Sequence, residues 1–392
     1  MPDVYVVDAL RTPFGSFGGV LSDVAAPHLA ATVIMALVER TALDPAAVDE
    51  VIIGQVLSGG AGQAPARQAL RYAGLPDGVH AMTINKVCGS GLKAILLGAG
   101  AIQLGEAAVV LAGGMENMSL APFALQKARY GYRMGPGELL DLMVYDGLQD
   151  AYSGKLSGEI ADETAARHGL SREAQDEFAI RSYQLAQQAV TGGIFKDEIT
   201  PVTKKCRKGE DVWVADDEEP FKVDFVKLRQ LRPAFTKEGT VTAGNASTIN
   251  DGAAMTLLAS AAAMKERQLQ PKARLVASAT FSTKPELFPE APVEAIQAVC
   301  ARARLQLADI DLIEINEAFA VVPLLAINAL KLDPQRVNVN GGAVALGHPI
   351  GASGGRLVTT VVRELHRRQA RYGLVALCIG GGEALAAIVE RV

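Results

Sequence analysis

Short apolar runs of β-favouring residues alternate with longer Ala- and Leu-rich runs along most of the chain, and this alternation leaves few folds open. Val4–Val7, Val51–Val56, Ala107–Leu111, Leu275–Ala279, Leu312–Ile315 and Leu374–Ile379 read as strands. They lack the polar alternation of a half-wetted sheet, so they belong to sheets covered on both faces. His28–Arg40, Gly91–Leu104, Arg172–Val190, Val293–Arg304, Ala318–Leu330 and Gly354–Gln369 read as helices. Strands and helices in turn predict an α/β fold. At roughly 100–200 residues per domain, a 392-residue chain holds more than one unit.

The pattern breaks in the middle. Between about Met118 and Thr240 the sequence is more polar and irregular, with one helix expected at Ser171–Val190 and a charged run, KKCRKGEDVWVADDEEPFK. We read an inserted loop domain, about 119–245, within a first α/β unit spanning 1–267. A helix expected at 252–267 ends that unit, and the second runs from 268 to 392. The halves echo each other weakly: Cys88 and Cys378 each follow an apolar run and precede glycines. The carboxyl ends of the strands in such sheets usually carry the chemistry.

Bulk properties exclude several classes. The net charge of −5 provides no basic field for nucleic acid. The four cysteines, 88, 206, 300 and 378, form no CxxC pair. That spacing suits neither zinc nor a disulfide framework, and no metal is expected. A reducing, cytoplasmic setting is expected. The start, MPDVYVVDALRTPFG, has early acidic residues and no basic-then-apolar leader. Apolar stretches such as AAVVLAGGM fall short of the ~18 residues of a membrane span.

A few segments could carry chemistry. Cys88 lies in NKVCGSGLKAI, where glycines allow close approach of a ligand and a helix starting near Gly91 would favour its thiolate. The competing reading is a small buried apolar cysteine. His348 lies in NVNGGAVALGHPIGASGGR; its ring suits a base for a thiol near neutral pH. Cys378 lies in ALCIGGGEA, whose exposed N–H groups suit an oxyanion; the alternative is a plain glycine turn. Asn316 opens NEAFA after an apolar run, as a helix cap or as a polar contact in a site. GNASTINDG, 244–252, is either a polar turn or a loop reaching a ligand.

Taken together, VCGSGLKA, AGNASTINDGAA, NEAFA, GGAVALGHPIGASG and CIGGG, with DALRTPFGSFGG and GGMENMS, resemble the thiolases in order and spacing almost end to end. The resemblance implies the thiolase fold, two similar α/β units layered α-β-α-β-α with an inserted loop domain. It implies reversible Claisen condensation and thiolysis of a 3-ketoacyl-CoA, with acetoacetyl-CoA first and longer or branched chains second. It makes Cys88 the acyl-accepting nucleophile, His348 its base, and Cys378 the second acid/base. Asn316 would position an oxyanion-stabilising water, and Gly380 would join the Cys88 amide in the second oxyanion hole. Ser247, Ala243, Leu156 and Lys222 would contact coenzyme A, which is a substrate, with no tightly bound cofactor; Lys204, Lys205, Arg207 and Lys208 are further phosphate candidates. Acyl-CoA and CoA are the expected partners, in a homodimer or homotetramer whose segment 119–145 resembles the loop joining dimers.

The chain departs from small-substrate relatives at Leu156–Ser157, where many have His-Met, and at Leu287–Phe288–Pro289, near a Met-Gly pair. Two rival readings stand. A decarboxylating ketoacyl synthase would pair its cysteine with two histidines, and the chain has five in all. A non-catalytic acyl-CoA or lipid-binding protein on the same fold would lack catalytic positions.

Overall fold

A computed structural model describes residues 2–205 and 209–392; Cys206, Arg207 and Lys208 lie outside the described residues. The strands that build the main sheet are β1 (Val4–Arg11), β2 (Glu50–Gly54), β3 (His80–Ile84), β4 (Val109–Asn117), β5 (Asn250–Ser260), β6 (Ala273–Ser282), β7 (Leu312–Ile315), β8 (Tyr372–Ile379) and β9 (Glu383–Arg391). They run in the order β7-β8-β9-β6-β1-β5-β4-β2-β3. The two halves repeat one topology. In the first, β2 is parallel to β4, β4 antiparallel to β5, and β5 antiparallel to β1. In the second, β7 is parallel to β8, β8 antiparallel to β9, and β9 antiparallel to β6. Even the edge has its counterpart: β3 runs parallel to β2, and Val337 bridges Ile313 in the same sense. The halves meet where Tyr5 and Val6 pair Arg274 and Ala273.

Among the described residues, the seven longer helices are α1 (Ala26–Thr41), α2 (Ser90–Leu104), α3 (Ser157–Arg167), α4 (Arg172–Thr191), α5 (Ala291–Ala303), α6 (Val321–Leu330) and α7 (Ser353–Arg368). α1 covers the outer face of the first half-sheet, and α5 and α6 that of the second. α2 and α7 lie between the halves and pack on each other. The layering is therefore α-β-α-β-α, as expected. The Val87–Leu104 stretch is apolar and long enough to cross a membrane, yet half of it is buried here in the central layer. An apolar helix with a second helix and two sheets around it needs no lipid.

Several elements correct the sequence reading, among them α3, in a segment expected to hold a single helix. The stretch 252–267 is not one helix: β5 runs to Ser260, whose Oγ accepts from the Ala263 N–H and starts a short helix, Ala261–Glu266. The Ala-rich run looks helical alone, but β1 and β4 pair it on both sides, and tertiary pairing overrides propensity. β3 and β9 escaped notice, one because HAMTI is half polar, the other because EALAAIVER is rich in Ala and Glu.

The inserted segment carries α3, α4 and two small ribbons, Phe123–Ala124 with Leu140–Asp141 and Val202–Lys204 with Val212–Val214. A buried cluster pins it to β1. Arg11, fully buried, pairs with Glu198 at 2.7 Å and Asp217 at 2.6 Å. Removing Arg11 would leave two buried carboxylates without their cation, at about 3–5 kcal/mol.

Candidate active site

The nucleophile candidate sits on a strained turn. β3 ends at Ile84, α2 starts at Ser90, and between them Val87 takes φ +46°. A β-branched residue in the left-handed region costs on the order of 1–3 kcal/mol and persists only if its surroundings hold it. Asn85 Oδ1 accepts from the Val87 N–H at 2.8 Å, and the Val87 carbonyl accepts from Ser90 Oγ at 2.7 Å and Ser90 N–H at 3.0 Å. A Cβ on Gly89 would lie 2.5 Å from Ile379 Cδ1, so a side chain there would have to push that methyl aside. The turn presents a half-buried Cys88.

The helix N-terminus does not lower the Cys88 pKa as the sequence led us to expect. Burial pushes the thiol up to about 11, against the pull of the Gly380 N–H, and the Glu116 carboxylate raises it further. Desolvation of the thiolate outweighs the partial charge of one helix end.

His348 occupies the equivalent position in the second half, between the Val337 bridge and α7. Gly347 at φ +102° turns the chain into it, with Asn250 so close that any Cβ would collide at 2.3 Å. Asn250 Oδ1 accepts from the His348 N–H at 3.0 Å. The ring is fixed at both ends: Nδ1 lies 2.5 Å from Ser353 Oγ and Nε2 lies 3.4 Å from Asn316 Nδ2. Ser353 Oγ donates to the Pro349 carbonyl at 2.9 Å. On that assignment Nδ1 carries the proton and Nε2 is left as the acceptor. Burial, then the Arg356 cation, lowers the ring's pKa to about 3, so it is neutral at physiological pH.

Two glycines bring these turns together. A Cβ on Gly91 would stand 2.8 Å from the Gly351 carbonyl oxygen, and one on Gly354 would stand 2.3 Å from the Leu92 nitrogen. The N-termini of α2 and α7 thus touch backbone to backbone.

Cys378 is the penultimate residue of β8 and is fully buried; burial, then the neighbouring Cys88, holds its thiol well above the ordinary range. Beyond it the Gly380–Gly382 turn joins β9, with Gly381 and Gly382 at φ +91° and +90°. The Gly380 N–H pulls the Cys88 pKa down, and Val87 Cγ1 stands 3.6 Å from the Cβ position of Gly380, so the two turns adjoin. Asn316 follows β7, is buried, and leaves Oδ1 without a hydrogen-bond partner. Unpartnered buried carbonyl oxygens call for a water or ligand.

Two cavities adjoin this cluster. An apolar one of about 210 Å³ touches His348, Ser247, Leu156, Phe235, Phe319 and Ile350. A wider groove of about 670 Å³ touches Val87, Gly380, Tyr145, Ile160 and the buried Phe288; Ser157 lines both. Ser247 and Leu156 therefore stand at the site. Ala243 is exposed and lines neither cavity, and the same holds for Lys222, whose ammonium is held by Glu218 at 3.0 Å and by Ser16. Lys204 pairs with Asp23 at 2.7 Å and Lys205 with Asp211 at 2.6 Å.

Sequence reasoning missed Ser353 and Glu116. Glu116 is buried and accepts from the N–H groups of Val56, Leu57 and Gly351 at 3.0–3.1 Å, tying β4 to both cavity walls. Burial raises its pKa to about 7. GGMENMS was noticed as a motif, but its partners are backbone groups far along the chain. Among the described residues, no group of three or more His, Cys, Asp or Glu could hold a metal ion.

Comparison with known proteins agrees with this geometry. The family models described as "Thiolase, N-terminal domain" and "Thiolase, C-terminal domain" match residues 4–262 and 269–391. An acetyl-CoA acetyltransferase of Pseudomonas aeruginosa is 52% identical over 392 residues, covering 100% of both chains. One of Cupriavidus necator is 49% identical over 398 residues, and a probable acetyl-CoA acyltransferase of Staphylococcus aureus is 48% identical over 392, again with full coverage of both chains. The crystal structure of the Bacillus anthracis acetyl-CoA acetyltransferase superposes with a TM-score of 0.98 at 41% identity, covering 100% of this chain and 99% of that one. With matching models over both halves and relatives near 50% identity end to end, the chain belongs to the thiolase family.

Proposed function

We propose that the protein is an acetyl-CoA C-acetyltransferase that interconverts acetoacetyl-CoA with acetyl-CoA through an acyl-Cys88 intermediate. The observation that carries this reading is the grouping of two buried thiols, a neutral imidazole and the Gly380 N–H around one centre. In thiolysis, Cys88 Sγ attacks the 3-keto carbonyl and passes its proton toward His348 Nε2. The C2–C3 bond breaks, its electron pair goes to C2, and the raised pKa of Cys378 keeps a proton ready for that carbon. Acetyl-CoA leaves and the proton held by His348 passes to Cys378; CoA then takes the acyl group from Cys88, its thiol proton moving through His348 to the departing Cys88 sulfur. Asn316 and His348 hold one oxyanion through water, and the Cys88 and Gly380 N–H groups hold the other.

Coenzyme A enters, on this reading, along the apolar cavity past Ser247 and Leu156, which suits a pantetheine chain. Longer or branched 3-ketoacyl-CoAs are the second reading, favoured by the groove beyond Gly380 and Ser157. A non-catalytic binder is disfavoured because Cys88, His348, Asn316 and Cys378 are all present. A two-histidine synthase is disfavoured because neither cavity is lined by a histidine other than His348. Steady-state thiolysis across a chain-length series decides the substrate: highest kcat/KM with acetoacetyl-CoA supports the proposal, and a maximum at longer chains replaces it with the second reading. Cys378→Ala is expected to keep Cys88 acylation while losing carbon–carbon cleavage; cleavage at the parent rate would remove its role.

A homo-oligomer belongs to the same proposal. β3 forms an open sheet edge beside the Cys88 turn, a template for pairing with a second copy. The 123–141 arm displays Tyr130 and Met134 at 91% and 97% exposure, which suits a dimer-of-dimers contact.

A further inference from the structure

The turn that bears Cys88 and the turn that bears Gly380 are joined by an ion pair from outside the catalytic set. Lys86 Nζ lies 2.5 Å from Glu383 Oε2. Glu383 is the first residue of β9, directly after Gly380–Gly382, and its other oxygen accepts from Ser282 Oγ at 3.2 Å. The carboxylate is therefore anchored to β6 as well as to its own strand.

The remaining polar contacts of the Cys88 turn are mostly local. Lys86 N–H donates to Ser90 Oγ, Val87 N–H to Asn85 Oδ1, and Gly89 N–H to the Lys86 carbonyl; Asn85 reaches out only weakly, to the Val56 carbonyl at 3.5 Å. Ile379 and Leu385 press on Gly89, and Val87 Cγ1 stands 3.6 Å from the Cβ position of Gly380. Apolar contacts thus set the spacing of the two turns, but they are non-directional. Alignment of an N–H on a sulfur needs a directional tie. Lys86 and Glu383, two residues before Cys88 and three after Gly380, provide it at 21% and 33% side-chain exposure.

We propose that the Lys86–Glu383 ion pair is a positioning device that holds the Gly380 N–H on Cys88 Sγ, and so keeps the second oxyanion donor in register with the nucleophile. Neither side chain touches the reacting atoms. The inference rests on Cys88 as the reactive sulfur, and on the thiolase reading only for its turnover arm. An ion pair this exposed adds little to folding, whereas a misplacement of about 1 Å at a catalytic donor costs up to ~100-fold in rate.

The test uses the full-length protein carrying Lys86→Met, Glu383→Gln, both together, and the swap Lys86→Glu/Glu383→Lys. With acetoacetyl-CoA and CoA, each single change is expected to lower kcat about tenfold with KM nearly unchanged. The double variant should lose no more than either single. The swap should recover to within about threefold of the parent, because an ion pair is restored.

Iodoacetamide alkylation of Cys88 against pH gives a readout that needs no thiolase activity. Glu383→Gln removes a negative charge, and a purely electrostatic effect would move the profile to lower pH. Loss of the Gly380 donor moves it to higher pH, and that is the expected result. A downward or absent shift, single variants within twofold of the parent kcat, or a swap as poor as the singles would each overturn the proposal. If the parent itself fails to cleave acetoacetyl-CoA while the alkylation profile moves upward as expected, the substrate reading falls and the positioning role stands.

Discussion

His348 shows how strongly environment resets a residue. A histidine of pKa about 6.5 in water has it lowered to about 3 here, chiefly by burial. The sign is definite: a lowered pKa keeps the neutral base form down to acidic pH. We expect the pH profile of kcat/KM with acetoacetyl-CoA to show no ionisation near 6.5, its acid limb falling below about pH 5. A limb centred at 6.5 that vanishes in His348→Asn would contradict the burial argument. At this scale the sequence was legible where glycines crowd a reactive side chain, as around Cys88, His348 and Cys378. It was not legible where the partner is distant. Nothing near Lys222 announces that Ser16, far back along the chain, shares its ammonium with the nearby Glu218, nor near Glu116 that three remote N–H groups satisfy it. The expected lowering of the Cys88 pKa failed for a related reason: a helix start can be read from residue order, but depth of burial cannot.

Elements meet at glycines in this fold. The crossing of α2 and α7 depends on Gly91 and Gly354, and it sets the separation of the Cys88 and His348 turns. Gly354→Ala places a methyl group 2.3 Å from the Leu92 nitrogen, where no flexible side chain can give way. We expect a loss of about 2–3 kcal/mol in denaturant unfolding and a fall in kcat of at least about tenfold. Parent-like stability and kcat would show that the helices can part without cost. Most helix positions were read because runs such as GLKAILLGAGAIQL are long and apolar; α3 was not, because SGEIADETAAR lies in the polar middle segment. Strands were read less well. β5 is a buried Ala-rich run whose identity comes from its two neighbours, and β3 is an edge strand with polar positions.

The whole molecule repeats one strand order twice and places a turn from each copy at a shared centre. The sequence echo between Cys88 and Cys378 matched the wrong positions: the strand of Cys378 is the counterpart of β4, and the counterpart of the Cys88 turn is the His348 turn, so strand register carries the proof. Beyond the single chain, replacing Tyr130 and Met134 with serine is expected to split the proposed dimer of dimers in light scattering, with the melting temperature nearly unchanged, because both side chains lie outside the core. An unchanged mass would remove the arm from the interface. The account as a whole depends on a covalent step at one sulfur. Incubation with acetyl-CoA, acid quench and peptide mass analysis should find one acetyl group, on the peptide containing Cys88, and none on that peptide in Cys88→Ala. Acetyl on Cys300 or Cys378 instead, or no adduct in an enzyme that still cleaves acetoacetyl-CoA, would contradict it.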